Sequence, residues 1–509
     1  MNSSRTQYVK RNFLYSLIGN IILFVFAFIN RTVFIKFLSV DYLGINGLLS
    51  NIIGILSFSE LGIGTIITFS LYKPIADNDE QKISAIMDLY KKAYRIISLV
   101  VITIGLSFLP FFKFIVHTDI PLKNVYTAYF VYVANMVLSY LLTYKSTFAT
   151  AAQKNYIVVN FDTVGKILIY ILQIISLYIY HSFIIYLIVQ LVIGLIEKLF
   201  LVCYLNRKFP VLKLVTTTKV DNETKATLKR NVKAAIFHNI GGVCVHQTDN
   251  IIISTFISTA VVGLISNYTM LFSVVNVFVN ALFGAFTSSI GNLIAQETNE
   301  KKSQIFDLYV FIGFWISTFL AVNLIVLSNP FISLWLGKDL FIDNVSMILY
   351  YTAIYFQIIC LPVHNYKIAA GIFVDDQFLS LLQAVVNLIV SIVFVKLIGL
   401  PGVYIGTIVQ RMIVVIAWPI IVNRKVLTRN CMSYFAKLLL NTFIFALITA
   451  CLLVFSNYFI VEKSILHFVL LVVVSLTIPN IVYFLIFFKT KTFKALLQYI
   501  HIGSKKCSR

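Results

Sequence analysis

The sequence carries little charge for its length. Only 12% of its 509 positions are charged, and acids are the scarcer sign, with 20 Asp and Glu against 41 Lys and Arg. A soluble globular chain is about a quarter charged, so a fully solvated fold is disfavoured. Cysteine is sparse as well. Cys203, Cys244, Cys360, Cys431, Cys451 and Cys507 lie mostly inside apolar runs and form no CxxC pair; they read as small core residues, not as metal ligands or disulfides. The chain has no GxxxxGK[ST] phosphate loop, which argues against direct drive by ATP. It also lacks HExxH and paired Cys/His ligand sets, so no cofactor or metal is expected. Alternating segments of about ten residues, the mark of transmembrane strands, are missing too. No small-residue cleavage site closes the first apolar segment, which is therefore expected to persist as an uncleaved helix behind a polar, basic lead.

Apolar sequence fills the space that charge leaves. Hydrophobic residues make up 59% of the chain and the mean hydropathy is +0.91. The apolar runs recur throughout, several reaching the roughly 20 residues that cross a bilayer as helix. Runs and breakers predict spans at 13–37, 44–71, 95–117, 125–148, 161–180, 183–205, 234–257, 262–291, 308–333, 345–366, 378–399, 401–422, 435–458 and 464–488. The expected class is an all-α polytopic membrane protein with about fourteen transmembrane helices.

A net charge of +21 could suggest a nucleic-acid partner. In a membrane protein it has a simpler reading, because basic residues collect on the cytoplasmic side. With the N-terminus inside, 34 of the 41 Lys and Arg fall on the inner side and 7 on the outer. This predicts two cytoplasmic termini and no nucleic-acid role. The most basic loop, 206–233, reads as a positive-inside linker or as a dock for anionic headgroups or a partner enzyme.

The chain also repeats itself. A shift of 219 residues lays 10–90 on 229–309 without a gap and gives 18 identities in 81 positions. Several are polar: Lys10-Arg11-Asn12 falls on Lys229-Arg230-Asn231, Asn20 on Asn239, Thr68 on Thr287, and Asp88-Leu89-Tyr90 on Asp307-Leu308-Tyr309. Gly44 falls on Gly263. Further on, Tyr144-Lys145 matches Tyr366-Lys367, and Asn206-Arg207-Lys208 matches Asn423-Arg424-Lys425. Each unit is thus six helices. An even number gives both the same orientation, the arrangement of transporters with parallel repeats. The expected organisation is a six-helix bundle at 1–205, the basic linker at 206–233, a second six-helix bundle at 234–425, and two extra helices with a basic tail at 426–509.

Polar groups within spans mark candidate sites, since a charge there costs about 2.5–3.5 kcal/mol on insertion scales. Asn20 and Arg31 share one face of span one, eleven residues apart. The equivalent face of span seven carries Asn239, His246 and Asn250, with His238 and Asp249 beside it. Glu60 lies in span two. Span eight carries Asn276, Asn280, Gly284, Thr287 and Gly291 on one stripe. Arg31, Glu60 and Asp249 read either as lumen-facing groups or, for the first two, as a structural ion pair. Asn276 and Asn280 could line a path or glue helices together. Lys145 and Lys367 sit near the inner interface, where snorkelling or a cavity role would each explain them. Asp375 and Asp376 read as solvated loop residues.

Several stretches then resemble a known family. They are Arg31-Thr-Val-Phe-Ile-Lys-Phe-Leu, Asp41-Tyr-Leu-Gly-Ile-Asn-Gly-Leu, Ser59-Glu-Leu-Gly-Ile-Gly and Ser70-Leu-Tyr-Lys-Pro, with Gln247-Thr-Asp-Asn-Ile-Ile-Ile, Val262-Gly and Ser266-Asn-Tyr in the second half. Together they resemble flippases of lipid-linked polysaccharide repeat units (Wzx type), within the multidrug, oligosaccharidyl-lipid and polysaccharide exporter superfamily. The resemblance implies a V-shaped twelve-helix core plus two helices, alternating between inward-open and outward-open states. The implied cargo is an undecaprenyl-diphosphate-linked oligosaccharide crossing the bacterial cytoplasmic membrane for capsule, exopolysaccharide or O-antigen assembly.

On that reading Arg31 would attract the diphosphate with help from Lys145 and Lys367. Asn20, Asn239, His246, Asn250 and Asn276 would line the substrate cavity, and Glu60 or Asp249 would exchange H+ or Na+. The second half departs from a symmetric cationic pattern, with Asp249 and Asn250 where a second arginine would fit. Membrane lipid, and glycosyltransferases or a polymerase of the pathway, are the partners implied. The competing readings are a cation-coupled multidrug exporter of the same superfamily and a membrane enzyme of glycan assembly. The enzyme would need a sizeable outer domain or loop; the longest outer loop, 334–344, is short, so the expectation is a transporter and not an enzyme.

Overall fold

The computed structural model describes residues 2–60, 63–214, 247–337, 339–372, 375–376, 378–459 and 465–498. Among them the secondary structure is helical, with no strand. A lipid core offers no partner for a free backbone group, and a helix satisfies its N–H and C=O internally. The chain divides into two compact units, Met1–Gly263 and Leu264–Arg509.

The first unit contains α1 (Asn2–Phe37), α2 (Val40–Leu56), α3 (Ile63–Ala76), α4 (Glu80–Phe108), the short α5 (Phe112–Ile115), α6 (Leu122–Ala151), α7 (Asn155–Tyr180), α8 (Phe183–Lys208) and α9 (Asp249–Phe256). Helix α10 (Thr259–Gln296) begins there and runs into the second unit. That unit continues with α11 (Asn299–Trp335), α12 (Asn344–Ala369), α13 (Leu379–Ile398), α14 (Leu400–Lys425), α15 (Met432–Phe459) and α16 (Ile465–Phe487). Among the described residues, twelve helices are long and apolar enough to cross a membrane. Of the two remaining expected spans, the seventh lies mostly outside the described residues and ends in α9. The second is not one helix. It breaks into α2 and α3 around a 3-10 turn at Ser57–Glu60.

The 219-residue offset recurs in the helix ends. Helices α1 and α9 end at Phe37 and Phe256, α2 and α10 start at Val40 and Thr259, and α4 and α11 start at Glu80 and Asn299. The caps repeat as well. Asp79 Oδ1 accepts from the Lys82 N–H at 2.9 Å, and its counterpart Thr298 Oγ1 accepts from the Lys301 N–H at 3.4 Å. Such caps satisfy donors that the first helical turn leaves orphaned. The two copies differ at the break, because α10 runs unbroken through the positions matching 57–62.

Two repeat-related glycines meet reciprocally where α2 and α10 begin. A Cβ on Gly44 would overlap the Thr259 carbonyl, and one on Gly263 would lie 2.5 Å from the Val40 oxygen and 2.9 Å from the Gly44 nitrogen. Val40 and Thr259 are themselves repeat equivalents, so each glycine receives the other copy's first residue. The turn after α5 closes over this junction. The His117 N–H donates to Thr259 Oγ1 at 3.1 Å, the Thr259 N–H returns to the His117 oxygen at 2.9 Å, and Ser254 Oγ donates to the Ile115 oxygen at 2.7 Å. These contacts hold α9 and the start of α10 in the first unit.

In the second unit, α15 and α16 pack on α11. Trp315 Nε1 donates to Asn480 Oδ1 at 2.9 Å, and the Tyr483 hydroxyl donates to Asn441 Oδ1 at 2.8 Å. At one end Asp307 bridges Arg429 at 2.6 Å and Lys437 at 2.9 Å.

Candidate functional site

The polar positions of the first unit gather around two centres. At the end of α1, buried Asn30 donates through Nδ2 to Gln173 Oε1 at 3.1 Å and to the Tyr186 hydroxyl at 2.9 Å. Gln173 Nε2 in turn donates to the Tyr186 carbonyl at 3.2 Å. This network ties α1 to α7 and α8, and edge contacts of Phe34 with Phe183 and Tyr186 reinforce it. Arg31, next along, is half-buried with Tyr170 and Tyr186 as electrostatic neighbours. The network therefore fixes the backbone from which a cationic side chain projects. Asn20 bonds within its own helix, donating to the Ser16 carbonyl at 2.7 Å.

The second centre is the break in span two. Glu60 sits at its end, and the Tyr94 hydroxyl donates to its carboxylate. The Tyr90 hydroxyl donates to that of Tyr94 at 3.1 Å and pairs with Thr147 Oγ1 at the same distance. The Tyr140 ring meets Tyr94 edge-on, with centroids 5.4 Å apart. Gly64 leaves the room, since a Cβ there would lie 3.2 Å from the Tyr90 hydroxyl and 3.4 Å from Glu60 Oε1. A carboxylate on a discontinuous helix, held by the Tyr94 hydroxyl from α4, can accept or release a small cation. It does not pair with Arg31, so the ion-pair alternative is not the one adopted. Sequence reasoning passed over Tyr90, Tyr94, Tyr140 and Thr147; the spacing of Tyr90 and Tyr94 by four on one helix face was the available signal.

The other candidates are placed as follows. Lys145, on α6 two residues from Thr147, donates to Asn206 Oδ1 at 2.6 Å and to the Leu212 carbonyl at 3.3 Å. Asp249 and Asn250 open α9, half-buried. Asn239 and His246, with His238, lie outside the described residues. On α10, exposed Asn280 donates to Asn276 Oδ1 at 3.0 Å. Among the described residues, nothing stands within 4 Å of a Cβ placed on Gly284 or Gly291, so these two glycines do not serve close packing against the described helices.

Lys367 is 1% exposed and forms an ion pair with Asp376. The Trp418 Nε1 donates to the same Asp376 oxygen at 3.1 Å, and the Lys367 ammonium lies 5.0 Å from the centre of the Trp418 ring. The expectation that Asp375 and Asp376 are solvated loop residues fails for Asp376. Its carboxylate is buried at the end of α12, where Lys367 requires a counter-ion. Asp375, half-exposed, pairs with Lys425.

Residues 9–288, more than half of the chain, match the polysaccharide biosynthesis protein family. The chain belongs to that family. No curated protein matches it in sequence. Among solved structures, this family member is similar to the lipid II flippase MurJ in an inward closed conformation, at 15% identity and a TM-score of 0.64, covering 93% of this chain and 99% of that one. It is also similar to a multidrug resistance MATE family transporter of the MOP superfamily in its inward-facing conformation, at 15% identity and a TM-score of 0.61, covering 78% of this chain and 92% of that one. A MATE transporter of Vibrio cholerae matches at 14% identity with a TM-score of 0.56, over 84% and 99% of the two chains. At such identities the likeness concerns the fold: a helical exporter fold, as the sequence implied.

Proposed function

We propose that this family member is a flippase that carries undecaprenyl-diphosphate-linked oligosaccharide repeat units across the bacterial cytoplasmic membrane by alternating access, with both termini on the cytoplasmic side. In this reading 1–205 and 234–425 are the two moving bundles, 206–233 links them, and 426–509 is an appendage. Arg31 attracts the diphosphate, assisted by Lys145. Lys367 contributes less than the sequence suggests, because Asp376 neutralises it. Amides at Asn20, Asn239, Asn250 and Asn276, with His246, meet sugar hydroxyls. Glu60 or Asp249 exchanges H+ or Na+, and differential affinity between the two states is all such a cycle requires.

The observation that carries this reading is the polar, unpacked stripe on α10. Among the described residues, Asn276 and Asn280 bond only to each other, and open space adjoins Gly284 and Gly291 on a helix long enough to span the bilayer. Amides facing hydrocarbon would be costly, whereas a water-filled path accommodates them. The family's link to polysaccharide synthesis and the MurJ-like fold support the cargo class. The test is a leaflet-translocation assay in proteoliposomes with a defined undecaprenyl-diphosphate oligosaccharide. Arg31→Ala should abolish translocation with the protein still inserted, while Arg31→Lys should retain part of it. Translocation at the normal rate in Arg31→Ala would remove Arg31 from the mechanism. Drug export without lipid-linked sugar transport would favour the multidrug alternative that the MATE-like fold also accommodates.

A further inference from the structure

Helices α7 and α8 bring three charged groups together away from the sites above. Lys198 Nζ donates to Asp162 Oδ1 at 2.7 Å and reaches Glu197 Oε2 at 3.4 Å. Glu197 lies deep within α8, roughly 21 Å along the helix from its start and roughly 17 Å from its end at a rise of about 1.5 Å per residue. Its side chain is nine-tenths buried, and Oε1 has no hydrogen-bond partner among the described residues. The burial comes from a close helix approach, because a Cβ on Gly165 of α7 would overlap Glu197 Cγ.

The charge balance is uneven. One ammonium neutralises one carboxylate, and its short contact is with Asp162, which is 37% exposed. Glu197 is the surplus acid. The remaining charge acting on it from α7 is Lys166, which is exposed and beyond ion-pair reach. Helix α6, which also packs on α8, turns the uncharged Asn135 toward Gly194, 3.8 Å from a Cβ there. An ionised carboxylate with an empty oxygen is a poor occupant of such a place; a neutral carboxylic acid removes the net charge. A metal cation fits worse, since it would need several oxygen ligands and would meet the Lys198 ammonium.

We propose that Asp162, Glu197 and Lys198 form a proton-binding site within the membrane, with the proton carried on Glu197. The site is separate from Glu60 and Asp249 and does not depend on the identity of the cargo. Infrared difference spectroscopy of the full chain in lipid, between neutral and alkaline pH, reads it directly. At neutral pH the unaltered protein should show a protonated carboxyl C=O band that Glu197→Gln removes, and Asp162→Asn, which leaves Glu197 as the one carboxylate beside Lys198, should weaken it as well. A band unchanged in Glu197→Gln would overturn the proposal. If that variant fails to insert, a Glu60→Gln chain with carboxyl-¹³C glutamate gives the same answer: the neutral-pH band should shift with the isotope, and its absence means Glu197 is ionised.

Discussion

Replacing Gly263 by alanine tests the reciprocal glycine junction. The new methyl would sit 2.5 Å from the Val40 oxygen, where ordinary contact begins near 3.4 Å, so α2 and α10 must part by about 0.9 Å. Overpacking of this kind costs about 1–3 kcal/mol. At about 2 kcal/mol, the ratio of separated to joined states rises roughly thirtyfold. Leu43, 3% exposed beside the junction, is a suitable reporter once replaced by cysteine in a chain cleared of its own six. Its labelling by a membrane-impermeant maleimide, at reagent levels where labelling is slower than closure, follows the separated population and should rise by that factor.

Gly44→Ala should exceed it, because its methyl would penetrate the Thr259 carbonyl more deeply. Gly47→Ala meets only Val262 Cγ1 at 3.3 Å, a crowding relieved by a shift of about 0.1 Å, and should leave labelling near that of the unaltered chain. Equal labelling in all three variants and the parent would refute the view that these glycines hold the junction shut.

Further outcomes follow from the buried polar contacts. Tyr94→Phe removes the hydroxyl that donates to Glu60, a loss of about 1.5–3 kcal/mol for a bond to a charged acceptor. It should change the ion dependence of transport in proteoliposomes without lowering the amount of inserted protein. Asp376→Asn strands a buried ammonium and should destabilise the second unit by about 3–5 kcal/mol, whereas Lys367→Met with Asp376→Leu should come close to neutral; thermal unfolding in detergent distinguishes them. Asp307→Asn weakens two half-exposed ion pairs worth about 1 kcal/mol or less each. It should speed hydrogen exchange at the start of α15 while the Trp315–Asn480 end stays protected.

The sequence made the spans legible because a bilayer demands long apolar helices, and the offset of 219 residues reappears in helix ends and caps. It did not reveal the break in span two. Hydropathy is averaged over about 19 residues, and Phe58, Leu61 and Ile63 mask a short turn at Ser57–Glu60. The Tyr90–Tyr94–Tyr140 setting of Glu60 was hidden for another reason: it joins residues from three parts of the chain, and tyrosine in a span raises no alarm. Asp376 illustrates the same gap. Adjacent acids in a loop look solvated until the fold brings Trp418 and Lys367 onto one of them. Glu197 and Lys198 were visible as charges within an apolar run, but Asp162, which decides the balance, is 36 positions away from Lys198.

Asp88 and Asp307 are the same residue in two copies, and their present neighbours differ. Asp88 faces solvent and pairs with Lys92 one turn along its own helix. Asp307 holds Arg429 and Lys437 from beyond the duplicated region. The helices of 426–509 thus attach through a position that the first copy leaves to solvent.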